Sequence, residues 1–113
     1  MSDRERAICR FEDIEDGRAR GFLREGPDDR VFALRRGAAV FAYVNSCPHD
    51  HRPLEYLTDR FMSADGQHIV CSAHGARFEP ETGLCVHGPC MGRSLTSVPV
   101  RVADGTVLIR PPF

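Results

Sequence analysis

At 113 residues, 42% hydrophobic and 27% charged, the chain has the size and balance of one folded domain; it is too short for two independent cores and is neither disordered nor membrane-like in composition. A formal charge of −1 supplies no basic field for nucleic acid or an anionic membrane, so neither is expected as a partner. All 15 basic residues are arginine, which fits genome composition as readily as selection for anion contacts and carries no functional weight.

The N-terminal stretch "MSDRERAICRFEDIEDGRAR" has no apolar signal-like core, and no later run reaches the roughly 20 apolar residues needed to cross a bilayer. The expectation is a cytoplasmic protein. Five cysteines are an odd number, and in a reducing compartment they are better read as ligands or buried apolar residues than as disulfides.

Short β-type runs follow one another: "RAICRF", "RARGFLR", "RVFALR", "AAVFAYV", "QHIVC", "SVPVRV" and "TVLIRP", each ended by Gly, Pro, Asp or Asn. The fold class is all-β. The charges of both signs in "DIEDGRARGFLREGPDDR" read as a solvated strand face, and Cys9 as a strand residue facing the core. Asp65-Gly66 and Asp104-Gly105 each sit between apolar runs, as two-residue hairpin turns with positive φ at both central positions do. "RRGAAVFAYV" reads as a third tight turn, with Gly37 feeding a strand that delivers the chain to Asn45 and Cys47. The segment "HRPLEYLTDRFM", with Leu54, Leu57 and Phe61 at weak helical spacing, fits one helical turn or an extended loop and is left irregular. No repeat or linker divides the chain, so residues 1–113 form one domain, and Pro111-Pro112 stops the last strand.

Two Cys/His pairs stand out. Residues i and i+2 of an extended segment point to one side, so Cys47 and His49 can face a common object; Cys71 and His74 can do so across a tight turn. Two thiolates and two imidazoles suit tetrahedral zinc and an iron–sulfur cluster equally, and ligand spacing alone does not choose.

The wider pattern does. Cys47-x-His49, then 21 residues, then Cys71-x-x-His74-Gly75-x-x-Phe78 and Thr82-Gly83, resembles the cluster-binding motif of the Rieske [2Fe–2S] protein family, and the likeness extends from the strands before Cys47 to the closing hairpin. The resemblance implies a Rieske-type fold of antiparallel sheets, with a two-loop cluster-binding subdomain over about 45–90 whose loops lie around residues 45–51 and 71–79. It implies one [2Fe–2S] cluster, Cys47 and Cys71 on one iron, His49 and His74 on the other. It implies a soluble ferredoxin that passes single electrons on a low-potential cluster between a reductase and an acceptor such as an oxygenase or other oxidoreductase. Such a carrier has no catalytic residue and no small-molecule substrate of its own.

The chain departs from the family pattern in a longer gap between the pairs, lodged in "LEYLTDRFMSADGQ" as a hairpin of its own, and in Ser72 where proline is common. High-potential members carry a disulfide between the ligand loops; the matching positions here are Arg52 and Ala73. They also place serine and tyrosine hydroxyls on the cluster sulfurs, where this chain has Ala76 and Phe78. Lacking both hydroxyl donors implies a potential in the lower part of the roughly −150 to +300 mV Rieske span.

Rival readings are a structural zinc module and an accessory small subunit of an assimilatory nitrite reductase, many of whose relatives lack the four ligands. A Rieske oxygenase subunit needs a mononuclear iron domain for which the chain has no room. Gly75 is read as letting the backbone pass near the cluster, and Phe78 as either cluster cover or core. In "TGLCVHGPCMG", Cys85, His87 and Cys90 lack a fourth ligand for zinc, so the two cysteines are read as buried side chains in strand and loop, with a redox-active pair as the alternative. His51 and His68 are read as structural.

Overall fold

In a computed structural model, described over residues 5–22, 31–48, 53–54, 59–72 and 75–110, the chain is all-β, as its punctuation implies. Among the described residues ten strands are formed: β1 (Arg6–Arg10), β2 (Ala19–Phe22), β3 (Val31–Arg36), β4 (Ala39–Val44), β5 (Ile69–Val70), β6 (Arg77–Phe78), β7 (Cys85–His87), β8 (Ser97–Val98), β9 (Val100–Ala103) and β10 (Thr106–Ile109). They pair antiparallel in three sheets ordered β1-β10-β9, β2-β3-β4-β8 and β5-β6-β7.

The four-stranded sheet separates two cores. On β3 the residues alternate: Phe32 and Leu34 enter a core shared with Cys47, Leu54, Phe61, Cys71 and Phe78, whereas Val31 and Ala33 enter one shared with Ile14, Val98 and Ile109. This explains the unbroken apolar run "VFAL", because a strand covered on both faces has no solvent side to mark with polar residues. The same parity holds on β4, where Phe41 and Tyr43 join the first core and Val40, Ala42 and Val44 the second.

The turns follow their residues in two of three places. Asp104 and Gly105 both have positive φ, 52° and 78°, and close the β9–β10 hairpin as an Asp-Gly pair should. Between β3 and β4, Arg36 faces Ala39 across Gly37, the one positive-φ residue of that two-residue turn. The Asp65-Gly66 expectation is corrected: Asp65 does not adopt positive φ, and a wider turn is closed by the Ser63 amide donating to the His68 carbonyl at 2.8 Å. Asp65 Oδ1 there accepts from Ser63 Oγ and the Gln67 amide, which competes with the backbone geometry of a two-residue hairpin.

The segment does fold back as a hairpin around that turn, with the Val70 amide donating to the Phe61 carbonyl at 2.8 Å, but it is anchored to the neighbouring sheet. Asp59 Oδ1 accepts the Gly21 amide at 2.8 Å, Met62 bridges Ile69, and Phe61 stacks on Phe32 with ring centroids 4.4 Å apart and planes 9° apart. Cys9, on β1, is half-buried against the second core beside the bulged Ile8. Leu57 and His51 lie outside the described residues, as do the last three residues with Pro111-Pro112.

Phe61 is fully buried and anchors the connection between the two motif loops to β3. Phe61→Ala is therefore expected to destabilise the fold by about 3–5 kcal/mol, read as a lower urea midpoint.

Candidate metal centre

Cys47 follows β4 by three residues and keeps its parity, so it lies in the core that also holds Phe41 and Tyr43; it is 1% exposed. Cys71 directly follows β5 and is fully buried in the same core. Neither is in a disulfide. Their partners in the motif, His49 and His74, lie outside the described residues, as do Arg52 and Ala73. Among the described residues no group of three or more His, Cys, Asp or Glu side chains is placed to hold a metal ion.

The backbone around the two cysteines is laced together. Asn45, 4% exposed, accepts the Leu54 amide on its Oδ1 at 2.8 Å, closing the first loop on itself. The Leu54 carbonyl then accepts the Ser72 amide at 2.9 Å, joining the first loop to the second. Within the second loop the Cys71 amide donates to the Ala76 carbonyl at 2.9 Å, and the Gly75 amide donates to the Cys71 carbonyl at 2.8 Å. Ser72, at the position where proline is common, thus supplies an amide that proline lacks.

A third loop, over residues 88–93, braces both. Arg93 Nη1 donates to the Pro48 carbonyl at 3.1 Å, beside the first pair. Gly88 packs against the second: a Cβ there would lie 2.8 Å from Ala76 Cα, and its φ is +103°. Cys85 and Cys90 are each 2% exposed, in strand and turn respectively, as expected. Burial, with the neighbouring Cys85 and Cys47 thiols, pushes Cys90 up to about 12, so it stays protonated at neutral pH.

Phe78 is core: it is fully buried on β6, opposite Ile69 and Cys85. Ala76 is fully buried as well. Gly75 has φ +71° with open space around it, so among the described residues the turn conformation accounts for the glycine. His68 is half-buried and His87 exposed.

Buried cysteines outside any disulfide, at the starts of two laced loops, fit a thiolate-bound metal group, which needs ligands held by backbone rather than by each other. The sequence pattern missed Asn45, Leu54, Gly88 and Arg93 as supports. Asn45 had a signal, two residues before Cys47 on the same parity; Arg93 had none.

Comparison with known proteins bears on the same region. The family model described as the Rieske [2Fe–2S] domain matches residues 5–103. Among solved structures, the ferredoxin of carbazole 1,9a-dioxygenase from Nocardioides aromaticivorans IC177 is similar at 25% identity and TM-score 0.76, over 95% of this chain and 97% of that one. A Sphingomonas yanoikuyae B1 ferredoxin is 26% identical at TM-score 0.74, over 96% and 99% of the two chains. A chain in the complex of reduced oxygenase and oxidized ferredoxin in carbazole 1,9a-dioxygenase is 27% identical at TM-score 0.76, over 94% and 92%. No curated protein matches.

The bracing role of the third loop is open to a paired substitution. Gly88→Ala and Gly92→Ala both place a side chain at positive φ, but only the first meets a neighbour, since nothing lies within 4 Å of a Cβ at Gly92. Each is expected to lose about 1–3 kcal/mol in urea unfolding from backbone strain, and Gly88→Ala more than Gly92→Ala because Ala76 must also move.

Proposed function

Because the chain belongs to the Rieske [2Fe–2S] domain family, we propose that it is a ferredoxin whose Cys47, His49, Cys71 and His74 hold one cluster and relay single electrons between redox proteins. The observation that carries this reading is the pair of buried cysteines, neither in a disulfide, at the starts of two loops joined through Leu54. When bound, such a cluster takes up and releases one electron and, being fully ligated by protein, offers no open position to a substrate.

The chain's own residues then set the terms. Two neutral imidazoles in place of two thiolates leave the centre less negative, which raises its potential above that of an all-cysteine cluster. Ala76 and Phe78 carry no hydroxyl to donate to it, which holds the potential in the lower part of the Rieske range, near or below zero. The whole chain acts as one domain, with the ligand loops and their brace, about 45–90, as its cluster-binding part. The donor is a reductase and the acceptor an oxygenase or similar oxidoreductase. The likeness to a chain from an oxygenase–ferredoxin complex, along nearly its full length, supports an oxygenase as the acceptor. Among the described residues no helix is long and apolar enough to cross a membrane.

Two measurements test the reading. Anaerobically purified protein should contain two irons and two sulfides per chain and absorb visible light; zinc without iron would make it a structural zinc module instead. Ala76→Ser should raise the midpoint potential in protein-film voltammetry. A hydrogen bond to a charged group is worth about 1.5–3 kcal/mol and roughly 1.4 kcal/mol corresponds to 59 mV for one electron, so the rise should be up to about a hundred millivolts. A wild-type potential well above about +200 mV would contradict the assignment of Ala76 and Phe78 as missing donors.

A further inference from the structure

Strand β7 and the third loop hold two thiols that electron relay does not use, Cys85 and Cys90. Cys90 Sγ lies 3.2 Å from Cys85 Sγ and donates its S–H to it, while the Cys85 thiol donates to the His87 carbonyl at 3.3 Å. The Cys90 thiol also neighbours Cys47, so it has two sulfurs within reach. On the ferredoxin reading Cys47 is occupied by iron, which leaves Cys85 as the sulfur free to react. A disulfide spans about 2.03–2.05 Å, so the Cys85 and Cys90 sulfurs have only about 1.2 Å to close from their 3.2 Å contact. Cys90 is flanked by exposed Pro89 and Met91, so it sits one residue beneath the surface of a turn and not deep in the sheet.

We propose that Cys85 and Cys90 form a reversible disulfide while the cluster stays in place, making the third loop a redox-responsive modification site distinct from the electron-carrying centre. The oxidant is a small-molecule disulfide such as oxidised glutathione. One cysteine sulfur, losing its proton, attacks the glutathione disulfide; a mixed disulfide forms and one glutathione leaves. The second cysteine sulfur then displaces the other glutathione. Two thiols lose two electrons and two protons, and one glutathione disulfide becomes two glutathione thiols. Because both sulfurs are only 2% exposed, the exchange is slow and calls for excess oxidant and long exposure.

The test uses cluster-loaded wild-type protein whose iron and sulfide have been counted beforehand, so that failure of the ferredoxin reading is seen separately. The protein is held anaerobically with excess oxidised glutathione, its visible spectrum is followed, and it is then denatured in N-ethylmaleimide and mapped by mass spectrometry. The expected result is a Cys85–Cys90 cross-linked peptide with the spectrum retained, reversed by dithiothreitol, and lost in Cys90→Ala. Full alkylation of Cys85 and Cys90, a lasting glutathione adduct without the cross-link, a link to Cys47, Cys71 or Cys9, or bleaching of the cluster before any link forms would each overturn it. The wild-type map decides the question even if the variant fails to fold.

Discussion

The main chain of Leu54 is where the two cysteine loops become one object. Its amide is received by the Asn45 side chain and its carbonyl receives the Ser72 amide, so a single residue is bonded to the start of the first loop and to the second. Leu54 and Asn45 are buried, and there water cannot replace a lost partner; an unsatisfied buried group costs about 1–3 kcal/mol, more than a typical hydrogen bond contributes when present. The arrangement is therefore held less by the strength of each bond than by the cost of any alternative.

That lacing is supported from below and from the side. Beneath it, β3 fills two cores with alternate residues, so the sheet that carries Asn45 and Cys47 forward is clamped on both faces. Beside it, Tyr43 Oη donates to the Pro80 carbonyl at 2.8 Å, tying β4 to the turn between β6 and β7. Burial raises the Tyr43 phenol to about 12, so this donor keeps its proton across the physiological range. The third loop completes the enclosure through Arg93 on Pro48 and Gly88 on Ala76.

Strand identity was legible because Gly, Pro and Asp-Gly punctuation is local chemistry, and the Cys/His pairs were legible because residue type and spacing travel together. The Asp65-Gly66 turn was misread because a side chain, Asp65 Oδ1, took over hydrogen bonds that the dipeptide rule assigns to the backbone. The anchoring of 59–62 onto β2 and β3 was invisible because it rests on contacts distant in sequence, Asp59 to Gly21 and Phe61 to Phe32. Nothing in "GRSL" announces that Arg93 reaches back to Pro48, since a long flexible side chain leaves no periodic trace. The proximity of Cys85 and Cys90 was suggested by their spacing, but only the turn between them brings sulfur against sulfur.

The alternation along β4 and through Cys47 also bears on how such a chain can change length over evolutionary time. Deleting or inserting one residue between Val40 and Cys47 would exchange the occupants of the two cores, sending Cys47 toward Val98 and Ile109 and away from Cys71. The turn at 63–68 carries no such parity: it projects between Met62 and Ile69, which close its base, and its outer residues Ala64, Asp65 and Gln67 are exposed. Insertions and deletions are thus free to accumulate there while the spacing before Cys47 stays frozen, and the 21-residue gap between His49 and Cys71 is the kind of length that such drift leaves behind.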